Sequence, residues 1–183
     1  MSSANLLDPI WTSYSTTVDS LKVTLRILEK GKNHLLNNTN FLYSPVDAAK
    51  QRVRDSQRDA DNFVIVSLWA EFERKLLEYV QLEGKRLLRT PPTKFNTEVH
   101  KKVEDTIEYW RTDDMLDLFK SVVGGNLIGN AKNIKKYRDW IAHKNPRKGA
   151  PSNVPPQTAY KILSCIIGLI EQHANLTQAI SPT

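Results

Sequence analysis

The 183-residue chain has a single cysteine, Cys165. This rules out an internal disulfide and any metal site built from several thiolates, and points to a reducing, intracellular setting. Glycine occurs only seven times, and no glycine-rich phosphate loop precedes a GK[ST] triplet. Long apolar runs are also missing. The longest, Ile162 to Ile170, falls far short of the roughly 20 residues needed to cross a bilayer. The segment Met1 to Leu7 shows no basic region followed by an apolar stretch, so no signal peptide is expected. HExxH, CxxC and GxSxG are all absent. The four histidines, His34, His100, His143 and His173, stand too far apart to form a ligand set. Neither a metal nor a cofactor is expected, and the expected location is the cytoplasm.

What is present is helical periodicity. Apolar residues recur at spacings of three and four almost throughout, and no alternating strand pattern or internal repeat is found. Trp11, Tyr14, Val18, Leu21, Leu25, Leu28 and Leu35 form one stripe, predicting a helix from about 8 to 37. Ser44-Pro45 is a good helix start, and no breaker follows until Gly84. The part from Lys50 to Asp61 is nearly all polar and should be solvated, whereas Phe63 to Val80 reads as a core helix. Its expected buried stripe is Phe63, Val66, Ala70, Leu77 and Val80. The run from Thr90 to Thr93, with two prolines, ends that element. Phe95, Val99, Val103, Ile107 and Trp110 mark another amphipathic helix. A short helix follows, with Thr112 and Asp113 as expected caps, and then a flexible joint at Gly124, Gly125 and Gly129. A further helix runs towards Lys144 and is stopped by Pro146. The last, from about 157 to 178, is apolar on most sides and should lie centrally. Beside its apolar residues Ile166, Leu169 and Leu176, His173 reads as a satisfied edge histidine. The expectation is one all-α domain over 1–183, an antiparallel bundle of about five to six helices. Residues 61–178 would be its core and 1–60 an N-terminal helical extension.

The net charge of +6 suits a polyanionic partner without requiring one. The basic residues concentrate in NAKNIKKYRDWIAHKNPRK, residues 130–148. Lys132, Lys135, Lys136, Arg138, Lys144, Arg147 and Lys148 stand there against one acid, Asp139. Either this density meets a phosphate backbone or it is a solvated basic face. Angular position adds information. At about 100° per residue, Ile134, Tyr137, Arg138 and Ile141 share one sector, while Lys132, Lys136, Asp139 and His143 face elsewhere. Arg138 therefore sits at the edge of a buried stripe and needs a partner, because an unpaired buried charge is costly. Glu73, a carboxylate within the apolar arc of the core helix, is either that partner or a group that reaches solvent where helices cross.

The segment Tyr137-Arg138-Asp139-Trp140-Ile141-Ala142-His143 resembles the R-x4-6-H signature of HEPN domains, particularly stand-alone ones of the RiboL-PSP-HEPN-like kind. A polar residue follows the arginine and an alanine precedes the histidine. The surroundings are similar too: an acidic residue in an apolar helix (Ala70-Glu71-Phe72-Glu73), then a loop and a final apolar helix. The resemblance covers roughly Asp61 to Gln178. It implies a four- to five-helix bundle that forms homodimers, with many relatives acting as metal-independent endoribonucleases and others as non-catalytic modules that bind RNA or nucleotide or mediate assembly.

Under that resemblance Arg138 and His143 are catalytic, and Glu73 and Asp139 support them. Lys136, Lys144, Arg147 and Lys148 bind RNA. A toxin or defence role, with an antitoxin protein as a possible further partner and no membrane partner, would follow. The residue types suit the chemistry. When the RNA 2′-hydroxyl attacks the adjacent phosphate, a histidine can move the proton and an arginine can stabilise the charge on the phosphoryl oxygens. Residues five apart on a helix diverge by about 140°, so the motif of one chain cannot easily serve one phosphate, whereas two copies across a two-fold interface can. The other reading is a structurally paired arginine beside an exposed histidine. One departure stands out: relatives controlled by adenylation often carry a tyrosine two positions after the histidine, where this chain has Asn145.

Overall fold

A computed structural model describes residues 5–89, 91–143 and 149–180. The described residues form seven α-helices and two 3-10 turns, with no strand. The helices are α1 (Asp8–Glu29), α2 (Val46–Leu87), α3 (Thr93–Thr106), α4 (Thr112–Leu118), α5 (Lys120–Val123), α6 (Gly125–His143) and α7 (Pro156–Ile180). The chain is an all-α helical bundle. Its helix count exceeds the expected five to six because the segment before Gly124 divides into two short helices. No described helix is long and apolar enough to cross a membrane.

Helices α1 and α2 form an antiparallel hairpin, with Tyr14 donating to Asp61 near its base and Leu28 packed with Ala49 and Val53 at its far end. The predicted first helix stops early. Gly31 adopts φ +65°, the left-handed conformation that closes many helices, and the chain restarts as a 3-10 turn at Asn33–Leu36. This resets the register, so Leu36 is buried and Leu35 is left 54% exposed. The far end of the hairpin holds a small separate cluster of Leu28, Leu36, Ala49 and Val53. The expected polar stretch of α2 is solvated apart from such contacts: Val53 is buried while its charged neighbours Arg52 and Arg54 are exposed.

The main core forms where the second half of α2 meets α4, α5, α6 and α7. Here the predicted face of α2 is only partly the buried one: Val66, Leu77 and Val80 pack half-buried against the core. The residues turned inward are Val64, Ile65, Leu68, Trp69, Phe72 and Leu76, whereas Phe63 is 68% exposed and Ala70 is exposed. Both stripes have a spacing of three to four. The wider one, carrying Trp69 and Phe72, removes more apolar area from water and takes the core. Helix α3 also differs in detail. Phe95 is exposed and His100 is buried, close enough to α2 that a Cβ on Gly84 would lie 3.4 Å from His100 Nδ1.

Of the three glycines at the expected joint, only Gly124 (φ +94°) breaks the helix, and Gly125 and Gly129 belong to α6. Helix α7 lies centrally as expected, burying Ala159, Leu163, Ile166, Ile167 and Ile170. Tyr160 ties its start to α1 by donating to Asp8 (2.6 Å). His173 meets the Tyr79 hydroxyl at 2.7 Å on α2, which makes it a satisfied edge histidine.

Candidate functional site

Helix α6 buries Ile128, Ala131, Ile134, Tyr137 and Ile141, a single face at helical spacing. Arg138 follows Tyr137 at the margin of that face, with its side chain 22% exposed. It reaches across to α2, where its guanidinium Nη2 lies 3.0 Å from Glu73 Oε2. Glu73 is 27% exposed, so both charges have lost most of their water. The guanidinium also stands 5.6 Å from the centre of the buried Trp69 ring, within cation–π range. Its other terminal nitrogen is 3.0 Å from Asp139 Oδ1.

The remaining oxygen of Glu73 accepts from the Thr112 hydroxyl at 2.5 Å. Thr112 therefore does not cap α4. The N-cap position is Arg111, with no side-chain cap bond, and the Thr112 hydroxyl is aimed at α2 instead. One carboxylate thus joins three helices, with α4 and α6 both anchored on α2. Asp139, expected to face away from Arg138, reaches it along the helix surface and also accepts from Lys135 at 3.0 Å.

The basic density of the segment is partly neutralised from elsewhere in the fold. Lys132 binds Asp117 at 2.6 Å, and Lys120 binds the same carboxylate at 3.0 Å. Hydrogen bonds from Lys132 and then Lys120 hold the Asp117 carboxyl below its ordinary range. Lys135 also approaches Asp113 at 4.0 Å. Lys136 is exposed and forms no ion pair among the described residues. Of the expected RNA-binding residues, Lys144, Arg147 and Lys148 lie outside the described residues, as do Asn145 and Pro146.

His143 is exposed at the C-terminal end of α6 and forms no hydrogen bond with Arg138. The fold therefore brings Arg138, Glu73 and Asp139 together and leaves His143 apart, as the 140° offset requires within one chain. Among the described residues, no three His, Cys, Asp or Glu side chains are grouped to share a metal ion. Sequence reasoning missed Thr112 and Trp69, although each carried a signal. A threonine next to an acidic turn can serve a distant acceptor as well as its own helix, and a tryptophan one turn before Glu73 is positioned to lie beneath its partner. Comparison of the chain with protein-family models, curated proteins and solved structures gives no match.

Proposed function

We propose that the protein is an endoribonuclease of HEPN type that acts as a homodimer. In this reading Arg138 of each chain stabilises the phosphoryl oxygens and His143 moves the proton. The 2′-oxygen bonds to the neighbouring phosphorus and its proton passes to a base. The P–O5′ bond then breaks, and the leaving O5′ takes up a proton. The products are a 2′,3′-cyclic phosphate and a 5′-hydroxyl, and neither step needs a metal.

The observation that carries the reading is the way Arg138 is held. It is held by Glu73 and Trp69 on α2 and by Asp139 along the surface of α6, yet retains solvent access on the helix that ends at the exposed His143. An arginine oriented by a carboxylate presents its donors in a set direction, which suits a developing phosphoryl charge.

The test is incubation of purified protein with RNA in EDTA. Cleavage leaving 2′,3′-cyclic ends is expected, and His143→Ala should abolish it without unfolding the protein. The dipole contribution of a helix-terminal histidine is only about 0.3–1 kcal/mol. If His143→Ala cuts at the wild-type rate, the assignment is wrong.

A second reading, a non-catalytic module that binds RNA or nucleotide or mediates assembly with a protein partner, is favoured by one observation. Lys132, Lys135 and Arg138 are already paired with acids within the chain, so Arg138 already has a structural role, and among the described lysines and arginines of 130–143 Lys136 is the one left without an ion pair. Wild-type protein that binds RNA in EDTA but never cuts it would establish this reading instead.

A further inference from the structure

A pocket of about 450 Å³, whose lining includes Glu73 but not Arg138, opens between α2, the 3-10 turn Ile107–Tyr109 and α4. This is within the size range of small-ligand clefts. Its apolar lining includes Leu77, Trp110 and Met115, and its polar lining includes Glu73, Glu108 and Thr112. Trp110 is held in place by its indole N–H, which donates to Thr106 at 3.1 Å. Arg74 stands at the rim but is already engaged by Glu71 and Glu78. Glu108 is different: it is exposed and forms no hydrogen bond or ion pair among the described residues. The pocket therefore combines an aromatic wall with a carboxylate whose acceptor capacity is unused. The unpaired charge of Glu108 repels a phosphate, so a nucleotide bound there would enter base first.

We infer that this pocket takes the base of the nucleotide whose 2′-hydroxyl attacks, and that Glu108 selects guanine. The inference rests on the ribonuclease reading for the neighbouring phosphate site. Glu73 is shared between the two sites: it binds Arg138 and lines the pocket. A phosphate held at Arg138 and a base in the pocket would therefore flank the same carboxylate. Guanine offers a ring N–H and an exocyclic amino group side by side, and a carboxylate accepts both through charge-assisted bonds. Adenine and cytosine offer an amino group beside a ring acceptor that repels the carboxylate. The single N–H of uracil is flanked by two carbonyl oxygens. Trp110 supplies an apolar aromatic surface for any of the four bases.

The test is titration of the wild-type protein with guanosine 3′-monophosphate and uridine 3′-monophosphate, followed by calorimetry. The guanine nucleotide should bind at least about tenfold tighter, and Glu108→Gln should bring the two within about twofold. Trp110→Leu should weaken both by about tenfold. Equal affinities, or a preference that survives Glu108→Gln, would overturn the inference. So would displacement of guanosine 3′-monophosphate by agmatine with no guanine preference, which would mark a site for organic cations. Mapping cuts on mixed-sequence RNA keeps the two proposals separable. Cleavage with no bias toward guanine on the 5′ side, unchanged in Glu108→Gln, refutes the pocket and leaves the nuclease standing. Guanine discrimination in a protein that cuts no RNA refutes the nuclease and leaves the guanine pocket.

Discussion

Removing the carboxylate of Glu73 should destabilise the fold by about 2 kcal/mol, a value bracketed by its exposure. Glu73 and Arg138 are 3.0 Å apart and about one-quarter exposed. At an effective dielectric of about 20, unit charges at that separation attract by about 5 kcal/mol. Lost hydration and the ordering of two long side chains offset most of that. Fully exposed pairs retain about 0.2–1 kcal/mol, while breaking a fully buried pair costs about 3–5 kcal/mol.

The single variants should stay well below the upper limit because neither partner is stranded. Without Glu73, Arg138 keeps Asp139 and the Trp69 ring; without Arg138, Glu73 keeps Thr112. A double-mutant cycle of Glu73→Ala and Arg138→Ala, measured by urea unfolding with linear extrapolation, should therefore give a coupling of about 1–1.5 kcal/mol. Running it at two protein concentrations separates this coupling from any contribution of association. A coupling below about 0.3 kcal/mol, within ordinary additivity error, would refute the claim that this pair fixes the arginine.

The remaining predictions concern the scaffold. Burial, and then the hydrogen bond to Asp61 and its charge, push the Tyr14 hydroxyl above its ordinary value of 10.0. A raised folded-state value means that this contribution to stability is complete below about pH 10 and is lost as pH rises through the higher folded value. Wild-type protein should accordingly be more stable than Tyr14→Phe at neutral pH and lose that advantage in alkaline unfolding titrations. Gly124→Ala should cost about 1 kcal/mol or more in urea, because φ +94° strains any side chain although nothing lies within 4 Å of the added carbon. Gly129→Ala, in the interior of α6 with equally open surroundings, should instead stabilise by about 0.5–1 kcal/mol; shifts of the same sign in both variants would contradict the conformational argument.

Much of the fold was legible because helices announce themselves through spacing, and the breaks at Pro45, Pro91 and Gly124 are local. The burial of α2 was harder to read. The helix carries two apolar stripes, and spacing alone does not say which one meets the core. That choice depends on what α6 and α7 present, which is a tertiary matter. Glu73 was nevertheless singled out, since an acid bordering either stripe needs a partner, and Arg138 had the matching problem on α6. The pairing of Lys132 with Asp117 and of Thr112 with Glu73 was not legible. The first joins α4 and α6 across the turn at Gly124, the second joins α2 and α4 across α3 and its connections, and no residue pattern encodes those directions. His143 was recognised only through its spacing from Arg138, and the described residues give it no partner that would mark it independently.

The separation of the two hydrophobic clusters has a consequence for how the molecule opens. The far end of the α1–α2 hairpin rests on four buried side chains, Leu28, Leu36, Ala49 and Val53, while the main core draws on five helices. Amide hydrogens around residues 46–56 should therefore exchange through a low-energy local opening, and those around 64–76 only when the whole bundle unfolds. Arg52, Arg54 and Arg58, exposed in that weaker region, become cleavable by trypsin whenever it frays. Brief digestion should cut there first, nicking the long helix well away from Glu73 while the bundle that holds Arg138 stays closed.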